Sequence, residues 1–378
     1  MTEVSNRTAR PGQRTAQRTE SAAAAVTAFD VVVTRVQRLS DNFQRITFGG
    51  AHLRDFGVLG PTLDLRIKVM IPATRDGDAP RLNLRELLEA PTDGPGWYQQ
   101  WLAMDPAERG SMRTYTVRET RCGAEEPEID VDFVMHFDAD GNGGPASLWA
   151  AAATPGDRIW VIGPNVHAAT CTTAGSYGGI EWRPGLAQHV LLAGDETAVP
   201  AISAILESLP ADIGGHAFLE VPDPSDFQEV GTTSAVKITW LARGTRPHGE
   251  LLDAAVRDAV RVPGWVSLAA PFAVGVDPSS RAGLTLAAAA AAAAGPEPEE
   301  VNIDETILWE TPQRLNASTL NMSMNPDRPS GALPFYAWIA GEAAVVRGLR
   351  RYLVRDVGID RKQVAFMGYW RRGRSELT

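Results

Sequence analysis

The sequence predicts two folding units in series: an antiparallel β-barrel, then an α/β unit built on a parallel sheet. Three observations carry this expectation. The first half alternates apolar and polar side chains in short runs broken by Gly, Pro and Asp. After Pro184 and Gly185 the pattern changes to short continuous apolar runs, each followed by a helical period. With 378 residues, 44% hydrophobic and 22% charged, the chain also has enough apolar material for two packed cores.

In order along the chain, Val31, Val32 and Val33 lead through Arg35 and Val36 to Arg45, Ile46, Thr47 and Phe48. Residues 63–71 place Leu63, Leu65, Ile67 and Val69 alternately with polar partners, and 113–119, 129–137 and 158–162 complete the strand set of a barrel. Residues 84–88 and 95–104 read as helical or looped excursions between strands. In the second half, 189–193, 217–221, 236–241, 336–340 and 364–367 have the character of buried strands. Pro200 suits the first turn of a helix carrying Ile202, Ile205, Leu206 and Leu209. A later helix puts Val345, Leu349, Tyr352 and Leu353 on one face. These readings divide the chain into a disordered tail (1–25), a barrel unit (26–184) and an α/β unit (185–378). An insertion or arm at about 271–334 contains an alanine run and a strand-like Ile307, Leu308 and Trp309.

Composition excludes several classes of function. A net charge of -10 argues against a nucleic-acid binder. The two cysteines, Cys122 and Cys171, imply no disulfide framework and cannot supply the four thiolates of an ordinary iron–sulfur cluster. The tail lacks the apolar core of a secretory signal, and the alanine run at 286–294 is too short to span a membrane. A cytoplasmic chain without membrane insertion or a metal centre is therefore expected. Any redox chemistry would rest on an organic cofactor.

Five motifs offer chemistry. In Arg113-Thr114-Tyr115-Thr116-Val117-Arg118, residues 113, 115 and 117 share one strand face. A flavin needs a covering ring, hydrogen bonds near N5 and a cation near its phosphates, and Tyr115, Thr116 and Arg113 are of those types; an ordinary polar barrel strand fits equally well. His136 ends a strand, and Gly143-Gly144-Pro145-Ala146-Ser147 then opens a helix whose backbone N–H groups suit a diphosphate, with Ser147 either adding a hydroxyl or capping the turn. Gly194-Asp195-Glu196-Thr197-Ala198 follows the first strand of the second half, where open α/β sheets bind ligands, but lacks the Gly-x-Gly-x-x-Gly fingerprint. Asp195 or Thr197 would equally cap a tight strand–helix turn there. Ala340-Gly341-Glu342 and Gly368-Tyr369-Trp370-Arg371 close the set; Glu342 also fits a first-turn acid facing a helix dipole.

Taken together and in this order, the five motifs resemble the siderophore-interacting protein family of FAD-containing ferric-siderophore reductases, over about residues 29–373. The resemblance implies a ferredoxin–NADP-reductase-like fold, an antiparallel flavin-binding barrel followed by a parallel-sheet nicotinamide-binding domain. It implies FAD as cofactor, NAD(P)H as cosubstrate, a ferric siderophore as substrate and a place in iron homeostasis. Ferredoxin is a possible alternative electron donor. Arg113, Tyr115, Thr116, His136, Gly144, Pro145, Ala146 and Ser147 would hold FAD. Asp195, Glu196, Thr197 and Ala198 would place the nicotinamide. Thr116, Thr197 and Glu342 would act at the reacting centre.

An acidic chain that receives an anionic ferric complex needs a local basic patch, and Lys68, Arg118 and Arg371 are its candidates. Arg243 and Arg246 are placed either to meet a 2′-phosphate of NADPH or to stand as solvated loop arginines. Two other activities fit the same architecture: a general flavin or ferredoxin-type oxidoreductase, and a slow-turnover siderophore-binding protein that keeps FAD.

Overall fold

The computed structural model describes residues 23–73, 82–90, 94–138, 140–260, 308–311 and 335–373. Most of the 1–25 tail, the alanine run and nearly all of the 271–334 insertion lie outside the described residues.

Six strands close a barrel: β1 (Val26–Arg38), β2 (Phe43–Gly49), β3 (Arg66–Ile71), β4 (Ser111–Thr120), β5 (Glu128–Val134) and β6 (Arg158–Pro164). They pair antiparallel in the order β1-β2-β5-β4-β3-β6. The alternation read from the sequence is the reason: Ile46, Phe48, Ile67, Val69, Val117, Val131 and Phe133 fill one core while their neighbours face out. Register then decides the faces of the β3–β4 pair. Val69 lies opposite Arg113 and Ile67 opposite Tyr115, so these share the inner face. Lys68 opposite Thr114, and Arg66 opposite Thr116, share the outer face.

The expected strand at 63–71 begins only at Arg66. Leu63 adopts a φ of 52°, and the Leu65 N–H donates to the Thr62 carbonyl, so Asp64 sits in a turn. Leu63 and Leu65 are buried all the same, which is why their spacing reads as strand.

The helices α1 (Leu84–Glu89), α2 (Trp97–Leu102) and α3 (Pro106–Arg109) leave the barrel between β3 and β4. Leu84 and Trp101 pack there on Met70, Met112 and Ile162, residues of the outer face. Helix α4 (Pro145–Ala151) joins β5 to β6, with Trp149 stacked on Phe48 at 6.2 Å.

The second unit comprises β7 (His189–Gly194), α5 (Val199–Ser208), β8 (Gly214–Val221), β9 (Ala235–Ala242), α6 (Glu250–Ala259), β10 (Trp309–Glu310), β11 (Phe335–Glu342), α7 (Ala343–Arg350) and β12 (Val364–Trp370). Its sheet runs β10-β12-β11-β7-β8-β9. All pairs are parallel except β10 with β12, so the expected parallel sheet carries a short antiparallel edge formed by Trp309 and Glu310. Pro200 lies in the first turn of α5, as expected. The helical face near the C-terminus is completed by Val346, Leu349 and Leu353 in the core, with Val345 and Tyr352 half-buried beside them; after α7, residues Arg351–Asp356 continue as a wider π-turn.

Asp64 joins the two units. Its carboxylate is fully buried and accepts N–H bonds from Glu181 (3.0 Å), Trp182 (3.1 Å) and the Trp338 indole on β11 (3.0 Å). Beside it Arg66 pairs with Glu181 at 2.8 Å and lies over the Trp309 ring at 4.3 Å. Strand β3, the neighbour of the motif strand β4, is thereby fastened to β11 and β10 of the second sheet.

Candidate active site

The turn after β7 is the centre of the site. Gly194 has no room for a side chain, since a Cβ there would lie 2.4 Å from that of Ala198 and 2.9 Å from the Ala340 carbonyl. The chain turns sharply, and Asp195 caps the turn by accepting the Thr197 N–H (2.9 Å) and hydroxyl (2.5 Å) through Oδ1. Its Oδ2 accepts the Glu342 N–H from β11 (2.7 Å) and the Trp370 indole N–H from β12 (2.8 Å). One carboxylate therefore ties three adjacent strand tips together.

Glu196 is fully buried and pairs bidentately with Arg243, both contacts at 2.7 Å. Arg243 enters from the loop after β9 and also approaches Glu220 on β8 at 3.9 Å. From the same loop His248, with its side chain only 8% exposed, brings Nε2 to 3.4 Å from Asp195 and 3.5 Å from Glu196. His136, at the end of the barrel strand β5, approaches Glu196 from the other side at 3.9 Å. The Trp370 ring touches both histidines, with ring centroids 6.0 Å from His136 and 5.1 Å from His248. Both units thus contribute to one cluster.

The electrostatics of the two acids diverge. Burial and the charge of Glu196 push the Asp195 carboxyl up to about 6, against the pull of His248, Thr197 and Trp370. Burial also acts against Glu196, but His248 and Arg243 outweigh it and bring its carboxyl down to about 2. His248 is raised: the two carboxylates overcome its desolvation. Asp195, Glu196 and His248 hold ligand-type atoms within 4.8 Å of one another. In this arrangement the Asp195 oxygens accept N–H and O–H donors and Glu196 is paired with the Arg243 guanidinium.

Several expected site residues have other partners. Arg243 pairs bidentately with Glu196, while Arg246 is a solvated loop residue 3.9 Å from Glu250. Arg118 does not stand free for an anion: it pairs bidentately with Glu207 on α5 (2.8 and 2.5 Å) and links the two units. Lys68 lies on the outer barrel face with Nζ 2.5 Å from the Thr114 hydroxyl, and Arg371 follows Trp370 directly at the end of β12. Glu342 is the N-cap of α7, one carboxylate oxygen accepting from Ala344 (2.7 Å) and Val345 (3.1 Å) and the other from the Arg372 N–H (3.3 Å). The Ser147 hydroxyl accepts the His136 N–H (3.3 Å) and donates to the Val134 carbonyl (3.4 Å), stitching α4 to β5 instead of reaching outward.

Three features fit a flavin. Arg113 has no acidic partner among the described residues, and its guanidinium donates to the Met112 carbonyl at 2.9 Å. At the start of α4 a Cβ on Gly144 would meet nothing within 4 Å, so the turn is open to a bulky neighbour. The Tyr369 hydroxyl is buried without a well-formed hydrogen bond although it faces Thr116, and burial raises it far above the ordinary phenol range. An orphan donor beside Thr116 is what a displaced ligand contact leaves. Tyr115 packs on Phe133 at 4.3 Å. His248 and Asp64 had no motif to announce them; the one hint of Asp64 is an acid between two apolar residues, Leu63 and Leu65.

Residues 32–168 match the siderophore-interacting FAD-binding domain and residues 187–373 the siderophore-interacting protein model. The protein Rv2895c of Mycobacterium tuberculosis is 32% identical over 358 residues, 92% of this chain and 91% of the relative. The ferric vibriobactin reductase ViuB of Vibrio cholerae is 32% identical over 236 residues, 62% of this chain and 74% of the relative. Among solved structures, a siderophore utilization protein from T. fusca superposes with a TM-score of 0.56 at 23% identity, covering 94% of this chain and 97% of that one, which shows the same fold. The chain belongs to the siderophore-interacting protein family.

Proposed function

We propose that the protein is an FAD-dependent NAD(P)H reductase of ferric siderophores that releases Fe(II) in the cytoplasm. Residues 26–184 form its flavin-binding part and 185–378 its nicotinamide-binding part. The observation that carries this reading is the meeting of the two units at one cluster, where β4 and β5 of the barrel face the Asp195 turn and the C-terminal Tyr369-Trp370 pair. ViuB, similar over most of its length, is a ferric vibriobactin reductase. Ferredoxin gains no support as a donor.

When bound, FAD supplies the conversion of a two-electron hydride into the single electrons that ferric iron accepts. Arg113 would neutralise its diphosphate together with the open turn at Gly144, Pro145 and Ala146. Tyr115 would cover the ring, with Thr116 and the Tyr369 hydroxyl at its polar edge and His136 beside it. The turn Asp195–Ala198 would seat the nicotinamide; Thr197, half-buried at its surface, would touch it, while the buried Asp195 and Glu196 would hold the turn from below. Glu342 would act by capping α7 next to that turn. Lys68 would meet the ferric complex on the outer barrel face, with Arg371 at the C-terminal side.

An anaerobic assay tests this. The purified yellow protein should bleach with NADH or NADPH, and a ferric siderophore should restore the colour with stoichiometric ferrous–ferrozine signal. Bleaching without reoxidation by any ferric chelate would point to a general flavin reductase. Tight siderophore binding with negligible bleaching would point to a binding protein.

A further inference from the structure

The cluster under Trp370 contains one residue whose placement its own bonds do not explain. His248 lies in the loop between β9 and α6, and that loop is fastened at both ends by other groups. Arg243 and Gly244 donate backbone N–H bonds to Val221 and Pro222 (2.9 and 3.0 Å), and Glu220 accepts the Gly249 and Leu252 N–H groups (2.7 and 2.9 Å). Gly249, at φ 82°, is pressed so closely on Val345 that a Cβ would lie 2.3 Å from it. The imidazole is thereby driven into the interior. There Nδ1 has no hydrogen-bond partner, and Nε2 stands 3.4 Å from Asp195 and 3.5 Å from Glu196, at the outer limit of a hydrogen bond. Desolvating an imidazole in this way is unfavourable unless a charge interaction offsets it.

Charge counting shows which carboxylate needs it. Glu196 has its own guanidinium, Arg243, held by two contacts of 2.7 Å. Asp195 is buried, and His248 is its ionic partner among the described residues. Arg243, committed to Glu196 by two hydrogen bonds, acts on Asp195 only through space. His136 faces Glu196, Glu220 faces Arg243, and the Glu342 carboxylate is turned to backbone N–H groups of α7 and Arg372. Both Asp195 oxygens already accept two donors each, Thr197 N–H and hydroxyl on one, Glu342 N–H and the Trp370 indole on the other. A proton placed on either oxygen must expel one of these. Burial brings Asp195 near that point, since its carboxyl stands at about 6.

We propose that His248 is a positioning residue: it keeps Asp195 in its ionised, fourfold-accepting form and so holds Trp370 and the Asp195–Ala198 turn at the cleft between the two units. The inference deepens the reductase reading and rests on it for the consequence to hydride transfer. The positioning itself is measurable without turnover.

The test follows the ¹⁵N–¹H indole resonance of Trp370 in the FAD-loaded protein between pH 5 and 8.5, assigned by Trp370→Phe. In the wild type it should show, beside its response to the two neighbouring histidines, a step with a midpoint at about 6. Asp195→Asn should abolish the step, and His248→Gln should move it upward by roughly one unit or more, since a cation within ~4–6 Å is lost. The rate of bleaching by NAD(P)H in His248→Gln should fall several-fold at pH 6.5 and recover by pH 8.5, with FAD content equal to wild type; a merely structural defect would not recover with pH. Should His248→Gln fail to fold, labelled histidine in the wild type and in Asp195→Asn gives the reciprocal reading, the His248 ring midpoint falling in the variant. An unchanged indole midpoint in His248→Gln, or an unchanged His248 midpoint in Asp195→Asn, overturns the proposal. If the midpoints move as expected but the wild type is bleached by neither nucleotide, the reductase reading fails and the positioning role stands.

Discussion

Asp64 and Asp195 are both buried aspartates that accept a tryptophan indole N–H, yet they do different things. Asp64 takes two backbone N–H groups of the junction and the Trp338 indole, its nearest cation, Arg66, being committed to Glu181. Burial raises its carboxyl, and the N–H bonds from Trp182, Trp338 and Glu181 oppose the rise. Its partners come from both units, so it acts as a weld. Asp195 has the same kind of donors but adds Glu196, His248 and Arg243 around them. A neighbouring like charge makes its protonation state adjustable near neutrality, and its donors lie on three strand tips facing the cleft. A carboxylate held mainly by N–H dipoles, with only a weak pull from a cation such as Arg66, is a structural joint; one with closer charges in its site can serve a reaction.

The largest effect should come from breaking the weld. Asp64→Ala leaves up to three buried N–H groups without an acceptor, and at about 1–3 kcal/mol each the loss should reach roughly 3–5 kcal/mol. Urea unfolding of the FAD-loaded protein measures it; a loss under ~1 kcal/mol would mean that water replaces the carboxylate and the comparison fails.

Arg113→Ala touches neither aspartate and separates cofactor retention from both. It should weaken FAD by roughly 1.5–3 kcal/mol, about 10–100-fold in Kd, with little change in the unfolding of the apoprotein. Flavin fluorescence on titration reads this, and an unaltered Kd would remove Arg113 from the site.

The adjustable aspartate should show itself in pH. With a folded carboxyl at about 6, above the ordinary value of 3.8, ionising Asp195 disfavours the folded state, so its penalty is present at neutral pH and relieved as pH falls from about 6.5 to 4.5. Glu196, at about 2, contributes in the opposite sense: its stabilisation is present above 4.5 and lost only as pH falls toward 2. The unfolding free energy of the wild type minus that of Asp195→Asn should therefore rise by ~1–3 kcal/mol between pH 7 and 4.5. A flat difference would place Asp195 with Asp64 as a fixed joint.

The smallest effect belongs to a more exposed link between the units. Arg118 and Glu207 are partly solvated, 12% and 32% exposed, and Arg118→Ala should cost at most ~1 kcal/mol, diminishing in salt. A larger loss would show that the Asp64 junction is not the main fastening.

Much of this molecule is determined by local sequence. Period-two alternation in 26–164 calls for antiparallel sheet with one buried face, which a closed barrel provides, and continuous apolar runs after 185 call for a sheet covered on both sides, so both sheet types follow from side-chain chemistry within a few residues. The motif strand at Arg113 and Tyr115, the capped turn at Asp195 and the Pro200 helix start are local in the same sense. What only the tertiary structure decided is which charge meets which. Arg243 lies 47 residues from Glu196, and Arg118 lies 89 from Glu207, so a pattern of types could mark these arginines as cations but not as already paired. Asp64 was hidden because Leu63 and Leu65 are buried from a turn as well as they would be from a strand, and His248 because nothing in Pro247-His248-Gly249 reveals that Glu220 and Val345 will pin the loop inward. Backbone propensity and apolar periodicity act over a few neighbouring residues, whereas the partner of a buried charge is whatever the packed chain brings within 4 Å of it.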